Sequence, residues 1–275
     1  MDKQRKTELA EIARKIRIGI VDAVYSAASG HPGGSLSIAD ILTYLYFEEM
    51  NIDPKNPDAP DRDRLVLSKG HCAPGLYSAL ANRGYFPVED LKTFRKTDSY
   101  LQGHPDMKHT PGVDMTSGSL GQGVSVAAGM ALAAKIDNSD RRVYAIMGDG
   151  ESEEGQVWEA AMFAGHYKLD NLCYILDLNG LQIDGSLDQV CDPRPHDAKF
   201  AAFGWNVIEC CAHDFDELEA AFAAAKAYKG KPTVIIAHST KGKGVSYMEN
   251  DCGWHGKAPN AEEYEIAMRE LGESK

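Results

Sequence analysis

The sequence predicts an α/β fold: a doubly wound, mostly parallel sheet with helices on both faces. At least five short apolar runs rich in β-branched or aromatic residues alternate with segments of helical periodicity. One run stops at Gly148, a helix follows, and a second run stops before Asn179, which is the pattern of a right-handed βαβ unit. No linker, internal repeat or low-complexity tract interrupts the sequence, so we treat residues 1–275 as one domain.

Helices dominate the first half of the predicted fold. The apolar residues of 3–28 fall on one stripe, which predicts a first helix. The glycine-rich stretch 29–34 ends it, and Ser37 with Asp40 three residues later indicates the start of a second helix. The other elements predicted in this half are strand 65–67, helix 73–82, a short helix over 86–97 and a buried helix over 124–134.

The second half alternates strands with helices, as a parallel sheet requires. The predicted strands are 143–147, 172–178, 205–210 and 232–238. The predicted helices are 156–167, 195–203, the alanine-rich segment 214–228 and the closing segment 261–271.

Composition excludes several classes of partner. The net charge of −12, from 29 basic and 41 acidic residues, argues against binding to nucleic acid or to an anionic membrane. No apolar run approaches the length of a membrane span, and the N-terminus has no apolar signal core, so we expect a cytoplasmic protein. The six cysteines have no metal-ligand spacing and are expected to be reduced thiols.

Polar side chains follow both strands of the central βαβ unit. Asp149 follows the first strand and Asn179 the second, so both should lie at the carboxyl edge of the sheet, where open α/β sheets bind ligands. A carboxylate, an amide oxygen and the backbone carbonyl near Leu181 are hard ligands suited to Mg²⁺, with open positions for two oxygens of a diphosphate. Gly-Asp-Gly by itself also forms ordinary turns, so this motif alone is weak.

Two further features indicate a ligand site. His31 lies in a glycine-rich loop between two helices, and His71 directly follows a predicted strand. The segment 115–123 is dense in glycine and serine and precedes an apolar helix. It is either a flexible loop or a binding element, and the buried helix that follows favours binding.

Several motifs, in a fixed order along the chain, carry a family resemblance. They are SGHPGG at His31, SKGHCAP at His71, GHPDM at His104, TSGSLGQG at Gly118, GDGESEEG at Asp149, LDLNGLQIDG at Asn179 and WHGKAP at His255. With these motifs the chain resembles transketolase over nearly its whole length, specifically the N-terminal, diphosphate-binding domain. The resemblance implies the thiamine-diphosphate-binding fold.

The cofactors implied by the resemblance are thiamine diphosphate and Mg²⁺, for which Ca²⁺ or Mn²⁺ can substitute. Asp149, Asn179 and the Leu181 carbonyl would hold the metal. The implied cofactor contacts are His71, Gly118 and Gly150 at the diphosphate, Leu120 at the aminopyrimidine, and Glu154 at the interface between paired active sites.

The resemblance also implies the reaction. Transketolase transfers a two-carbon ketol unit from a ketose phosphate to an aldose phosphate, with pentose phosphates as the ordinary substrates. His31 and His255 would face the reacting sugar and assist proton transfers. His104 would hydrogen-bond the terminal hydroxyl and the C–O group of the donor.

Full-length transketolases continue into a pyrimidine-binding domain and a third domain. We therefore expect this chain to be one subunit of a split transketolase. Its partner would be a separate C-terminal subunit, in a heterotetramer that also contains contacts between two copies of this chain.

The sequence leaves open three alternatives to a transketolase subunit. The chain could be the alpha chain of a 2-oxo acid dehydrogenase component or a 1-deoxyxylulose-phosphate synthase-like subunit. It could also bind thiamine diphosphate without catalysis. His104 argues against a 2-oxo acid donor, which has no terminal hydroxyl, and His31 and His255 argue against a role in binding alone.

Overall fold

A computed structural model describes residues 1–272, which are built around one parallel five-stranded sheet of order β1-β2-β3-β7-β6. Its strands are β1 (Arg64–Leu67), β2 (Val143–Gly148), β3 (Leu172–Leu178), β6 (Asn206–Cys211) and β7 (Thr233–His238). Between β3 and β6 the chain forms an antiparallel hairpin of β4 (Leu181–Gln182) and β5 (Gly185–Ser186). The predicted strands are confirmed to within one residue at either end.

Helices cover both faces of the sheet, as predicted. They are α1 (Lys3–Ala27), α2 (Pro32–Ser37), α3 (Ala39–Tyr44), α4 (Ala73–Arg83), α5 (Gln122–Ile136), α6 (Gly155–His166), α7 (Leu187–Val190), α8 (His196–Ala202), α9 (Phe215–Ala227) and α10 (Ala261–Glu270). The segment predicted as a helix over 86–97 contains only a 3₁₀ helix, Val88–Thr93.

Because successive side chains of a strand point to opposite faces of the sheet, the core has two layers. In β2, Tyr144 and Ile146 pack into the layer that contains α1, α3, α4 and α9. Ala145 and Met147 of the same strand pack into the layer that contains α5, α6 and α8. All four side chains are buried, so the sheet is doubly wound and its central strands read as continuous apolar runs.

The predicted start of the second helix at Ser37 is wrong. Helix α2 already begins at Pro32, within the stretch that was expected to be a loop. Its glycines serve close packing, because a Cβ on Gly33 would lie 2.9 Å from the Trp254 carbonyl oxygen and one on Gly34 would lie 2.7 Å from Cys72 Sγ. Ser37 Oγ lies 2.9 Å from the Gly34 carbonyl oxygen and caps no helix.

Because all five strands are parallel, their carboxyl ends meet at one edge of the sheet. Gly148 pairs with Asp177, and Leu178 pairs with His238, so the segments that follow β2, β3 and β7 leave the sheet side by side. Among residues 1–272, no helix combines the length and the apolarity that crossing a membrane requires.

Candidate active site

A cleft of about 380 Å³ opens at the carboxyl edge of the sheet. Every residue predicted for the site except His104 lines it. These residues are His31, His71, Gly118, Leu120, Asp149, Gly150, Glu154, Asn179, Leu181 and His255. The structure therefore brings together residues from six separate segments of the chain.

Asp149 lies at the end of β2 and is 2% exposed. Its Oδ1 accepts a hydrogen bond from the Gly150 amide at 2.8 Å, and its Oδ2 accepts one from the Gly180 amide at 2.6 Å. Gly180 has φ +77°, a left-handed conformation that glycine adopts readily and that turns its N–H towards Asp149. Burial and the neighbouring Asp177 carboxylate raise the pKa of Asp149 to about 6, against the opposing effect of these hydrogen bonds.

Asn179 and Leu181 supply two further oxygens at the cleft. Asn179 Nδ2 donates to Asp177 Oδ2 at 3.0 Å, and Asn179 Oδ1 accepts from the Leu181 amide at 3.1 Å. The Leu181 carbonyl accepts from Lys241 Nζ at 3.1 Å. Both ends of the Asn179 amide are therefore held, which fixes its orientation.

This set of donors fits a hard divalent cation. Within residues 1–272 no group of three His, Cys, Asp or Glu side chains is placed to hold a metal, so a site here depends on the amide and carbonyl oxygens as well. The side chain of Asp149 is buried and accepts its hydrogen bonds from backbone amides, so a bound cation would stabilise its ionised form. A carboxylate, an amide oxygen and a carbonyl oxygen are ligands that Mg²⁺ and Ca²⁺ share.

Three histidine rings form a cluster over the cleft. The ring centroids of His31 and His71 are 5.1 Å apart, those of His31 and His255 are 5.5 Å apart, and those of His71 and His255 are 5.1 Å apart. Burial, with cationic neighbours, lowers the pKa of His31 and of His71 to about 4 and that of His255 to about 3. All three rings are neutral at pH 7 and can exchange protons with a ligand.

His31 Nδ1 is buried and has no hydrogen-bond partner among residues 1–272. A buried polar nitrogen without a partner costs free energy unless a ligand or water satisfies it. Its position in the cluster makes a ligand polar group the natural partner.

His104 is the predicted residue that does not line the cleft. Its ring lies against Gly118, where an added Cβ would approach His104 Cδ2 to 3.3 Å. The backbone at His104 is fixed by Tyr77, whose hydroxyl donates to its carbonyl at 3.0 Å. Burial and then Arg95 lower the pKa of His104.

Glu151 is a residue of the site that the sequence reasoning missed. Its carboxylate is 3% exposed and accepts from Ser68 Oγ at 2.5 Å, the Gly121 amide at 2.8 Å and the Gly148 amide at 3.0 Å. It therefore ties the glycine loop before α5 to the ends of β1 and β2. Burial raises its pKa despite these hydrogen bonds.

Lys69, Lys241 and Asp177 were missed as well, although each is at most 2% exposed. Lysines are rarely buried without a specific partner, and both of these lysines line the cleft. Lys241 Nζ lies 3.1 Å from His255 Nδ1 as well as from the Leu181 carbonyl. The sequence carried one signal: Asp177 is a charged residue inside the otherwise apolar run LCYILDL.

His196 contacts the segment that carries Asp149. Its Nε2 lies 2.9 Å from Ser152 Oγ, and Ser152 Oγ donates to the Asp149 carbonyl at 2.6 Å. Since the serine hydrogen is used in that bond, His196 Nε2 carries the hydrogen and donates. Burial, and then Lys199, lowers the pKa of His196 to about 4.

We predict that His196 makes folding stability fall on acidification. The unfolded histidine titrates at about 6.5 and the folded one at about 4. Between these values the unfolded chain binds more protons, so the contribution is complete above pH 6.5 and is lost as the pH falls towards 4. Replacement by glutamine, which keeps a donor for Ser152, should reduce the loss between pH 7.5 and pH 5.0 by roughly 1 kcal/mol after discounting for solvent screening. Urea unfolding at both pH values checks this, and an equal loss in wild type and variant would contradict it.

Comparison with known proteins places the chain in a family. The family described as "Transketolase, thiamine diphosphate binding domain" matches residues 9–275. The chain is 46% identical over 268 residues to the 6-deoxy-6-sulfo-D-fructose transketolase subunit SqwG of Clostridium sp. (strain MSTE9), covering 98% of each chain. It is 44% identical over 261 residues to one of the subunits of the apulose-4-phosphate transketolase of Phocaeicola vulgatus, covering 95% of this chain and 92% of that protein.

Solved structures give the same result. The transketolase from Campylobacter jejuni superposes with a TM-score of 0.92 at 37% identity, covering 99% of this chain and 43% of that one. The transketolase from Leishmania mexicana superposes with a TM-score of 0.91 at 35% identity, covering 97% of this chain and 41% of that one. The chain thus spans nearly the whole length of the two subunits and less than half of these transketolases. This chain belongs to the transketolase family and corresponds to the thiamine-diphosphate-binding domain of that family.

Proposed function

We propose that this chain is the cofactor-binding subunit of a two-chain transketolase. With its partner it transfers a two-carbon ketol unit from a ketose phosphate to an aldose phosphate, using thiamine diphosphate and a divalent metal, Mg²⁺ by preference. One observation carries the proposal: three neutral histidine rings face a cleft that also presents a hard-oxygen donor set. Relatives that match the chain along its whole length are named as transketolase subunits, which supports the two-chain form.

The residues present fit the cofactor. Asp149, Asn179 and the Leu181 carbonyl would hold the metal, while His71, Gly118 and Gly150 would contact the diphosphate. The remaining cofactor contacts in this proposal are Leu120 at the aminopyrimidine and Glu154 at the interface with a second site. When bound, thiamine diphosphate supplies the nucleophilic carbon that adds to the carbonyl of the donor sugar.

This chain's histidines would move the protons. Because the Lys241 ammonium donates to His255 Nδ1, the hydrogen of that ring lies on Nε2 and is available to a sugar oxygen. The neutral ring of His31, which lines the cleft, can accept a proton from a sugar hydroxyl. A neutral ring can accept a proton from a sugar hydroxyl in one half-reaction, and the imidazolium so formed can return that proton in the other.

The proposed partner is a C-terminal transketolase subunit that carries the pyrimidine-binding domain. The proposed assembly is a heterotetramer with two copies of each chain, in which two copies of this chain also touch. A cytoplasmic location stays a prediction from the sequence. The relatives at 46% and 44% identity are named for different sugars, so we take pentose phosphates as the first substrates to assay and those two sugars as the next.

The test of the proposed function measures which reaction the complex catalyses and whether His104 contributes to it. We predict that His104→Ala lowers turnover with a ketose phosphate at least about tenfold more than turnover with a matched donor that lacks the terminal hydroxyl. A histidine that bonds this hydroxyl can lose its contribution only with donors that carry it. His109→Ala is the matched control, because His109 lies in the same loop but is exposed and pairs with Asp106.

The complex of both chains is assayed for lengthened sugar from each donor, and for CO₂ release from a 2-oxo acid. Ketol transfer without CO₂ release is expected. Release of CO₂ from a 2-oxo acid would favour the 2-oxo acid dehydrogenase or deoxyxylulose-phosphate synthase alternative, and no turnover at all would favour a binding protein. Equal losses with both sugar donors would make His104 a structural residue.

A further inference from the structure

A buried ion pair lies at the cleft, and its lysine is one of the residues that line it. Lys69, which follows β1, and Asp177, near the end of β3, are 2% and 0% exposed, and their Nζ and Oδ2 atoms are 2.5 Å apart. Strand β2 lies between β1 and β3, so the Lys69 side chain passes over its last residue. A Cβ on Gly148 would lie 3.6 Å from Lys69 Cδ. The pair therefore crosses the sheet edge just where the segment bearing Asp149 begins.

Asp177 is the centre of a hydrogen-bond network that reaches four segments of the chain. Besides Lys69, it accepts from Ser37 Oγ at 2.6 Å, from Asn179 Nδ2 at 3.0 Å and from Ser239 Oγ. Lys69 Nζ also donates to the Gly34 carbonyl at 3.1 Å. Both oxygens of a fully buried carboxylate are thus used within the protein.

Each of these segments carries a residue of the site. Helix α2, which holds Ser37 and Gly34, has His31 as its N-cap. Lys69 stands two residues before His71, and Ser239 two residues before Lys241. The contact with Asn179 is direct and holds Nδ2, while Oδ1, which accepts from the Leu181 amide at 3.1 Å, is the end of that amide that would face a cation. Removal of the carboxylate would free all four segments together.

We propose that Lys69 and Asp177 form a positioning pair that sets the affinity of the site for its metal, although neither side chain is itself a ligand. The inference rests on the proposed function, because it assumes that Asp149, Asn179 and the Leu181 carbonyl hold the metal. Replacing one partner leaves the other as an uncompensated buried charge and loosens the network around Asn179. Loss of a residue that orients a metal ligand typically weakens metal affinity by about 10- to 100-fold.

A positioning role and an effect of charge alone predict different metal affinities for variants of the pair. Lys69→Met removes a positive charge near the metal, so an effect of charge alone would tighten metal binding. Asp177→Asn removes a negative charge, so charge alone would weaken it. A positioning pair predicts at least about tenfold weaker binding for both variants. Ser37→Ala, which removes one neutral donor from Asp177, should weaken binding by a smaller factor.

The experiment titrates Mn²⁺, with inorganic diphosphate present, into the full chain and follows free Mn²⁺ by electron paramagnetic resonance. Lys135→Met is the control, because it breaks a partly exposed lysine–aspartate pair with Asp170 outside the cleft. Circular dichroism and urea unfolding establish which variants are folded. Should Lys69→Met or Asp177→Asn not fold, Ser37→Ala and Ser239→Ala decide the question, and wild-type affinity in both would overturn the proposal.

The possible results distinguish a failure of the positioning pair from a failure of the proposed metal site. Weaker binding in both charge variants, with Lys135→Met unchanged, supports the positioning pair. Tighter binding in Lys69→Met, or wild-type affinity in both charge variants, overturns it while the metal site stands. If wild type and Asp149→Ala bind Mn²⁺ equally, the metal site of the proposed function fails, and this inference fails with it.

Discussion

Replacing Asp149 with alanine is expected to abolish metal-dependent binding of thiamine diphosphate and to leave the fold intact. The change removes the one charged oxygen donor of the proposed metal site, and Asn179→Ala removes the amide donor. We expect each to weaken cofactor binding by at least about 100-fold, the upper range for loss of a supporting group and a lower bound for loss of a ligand. The fold should survive at Asp149, because the cost of burying its carboxylate offsets the loss of its hydrogen bonds from the Gly150 and Gly180 amides.

The measurement is a calorimetric titration of thiamine diphosphate with Mg²⁺ into this chain combined with its partner. When Ca²⁺ or Mn²⁺ replaces Mg²⁺, the wild-type chain should still bind thiamine diphosphate, and the two variants should not. Asp188→Ala is the control, because the Asp188 side chain is 72% exposed and follows the same hairpin. Unchanged affinity in both Asp149→Ala and Asn179→Ala would remove the site assignment.

The sequence predicted the central strands well because β2, β3 and β7 are buried on both faces. Such strands appear as almost uninterrupted apolar runs, and Gly148 and Asn179 mark where β2 and β3 end. The same logic placed Asp149 and Asn179 at one edge, which the structure confirms through the hydrogen bond from the Gly180 amide to Asp149. Local patterns were sufficient there because the two residues belong to consecutive strands of one βαβ unit.

Other features depend on contacts that local patterns do not carry. The glycines of α2 were interpreted as a loop, although they are required by close approach to Cys72 and to the Trp254 carbonyl. The pairing of Lys69 with Asp177 joins residues 108 positions apart. Only the assembled sheet, with β2 between β1 and β3, brings their side chains together.

The largest effect is expected from the partner: this chain alone should show no ketol transfer. The family resemblance implies that a glutamate of the pyrimidine-binding domain would hydrogen-bond the cofactor's pyrimidine ring, and that this contact would be needed for its chemistry. In the proposed function, the described part of this chain would supply groups for the diphosphate, the metal and the sugar. The proposed site is therefore incomplete until a second chain is added.

Exposed apolar side chains support assembly. Ile136 at the end of α5 is 70% exposed, and Met162 on α6 is 56% exposed. The neighbouring Phe163 and Tyr167 are exposed as well. Helix α5 is apolar around most of its circumference, and a helix of that kind is normally buried on all sides. Such a surface favours a large interface with another chain.

The most direct test of the split-subunit account is an assay of reconstitution. This chain, its partner, and the mixture of both are each supplied with thiamine diphosphate, Mg²⁺, a ketose phosphate and an aldose phosphate, and the lengthened sugar is measured. The account predicts product from the mixture only, with activity that reaches a plateau at one copy of this chain per partner chain. Full activity from this chain alone would contradict it, and would make Glu151, Glu153 and Glu154 the first candidates for an activating carboxylate within these residues.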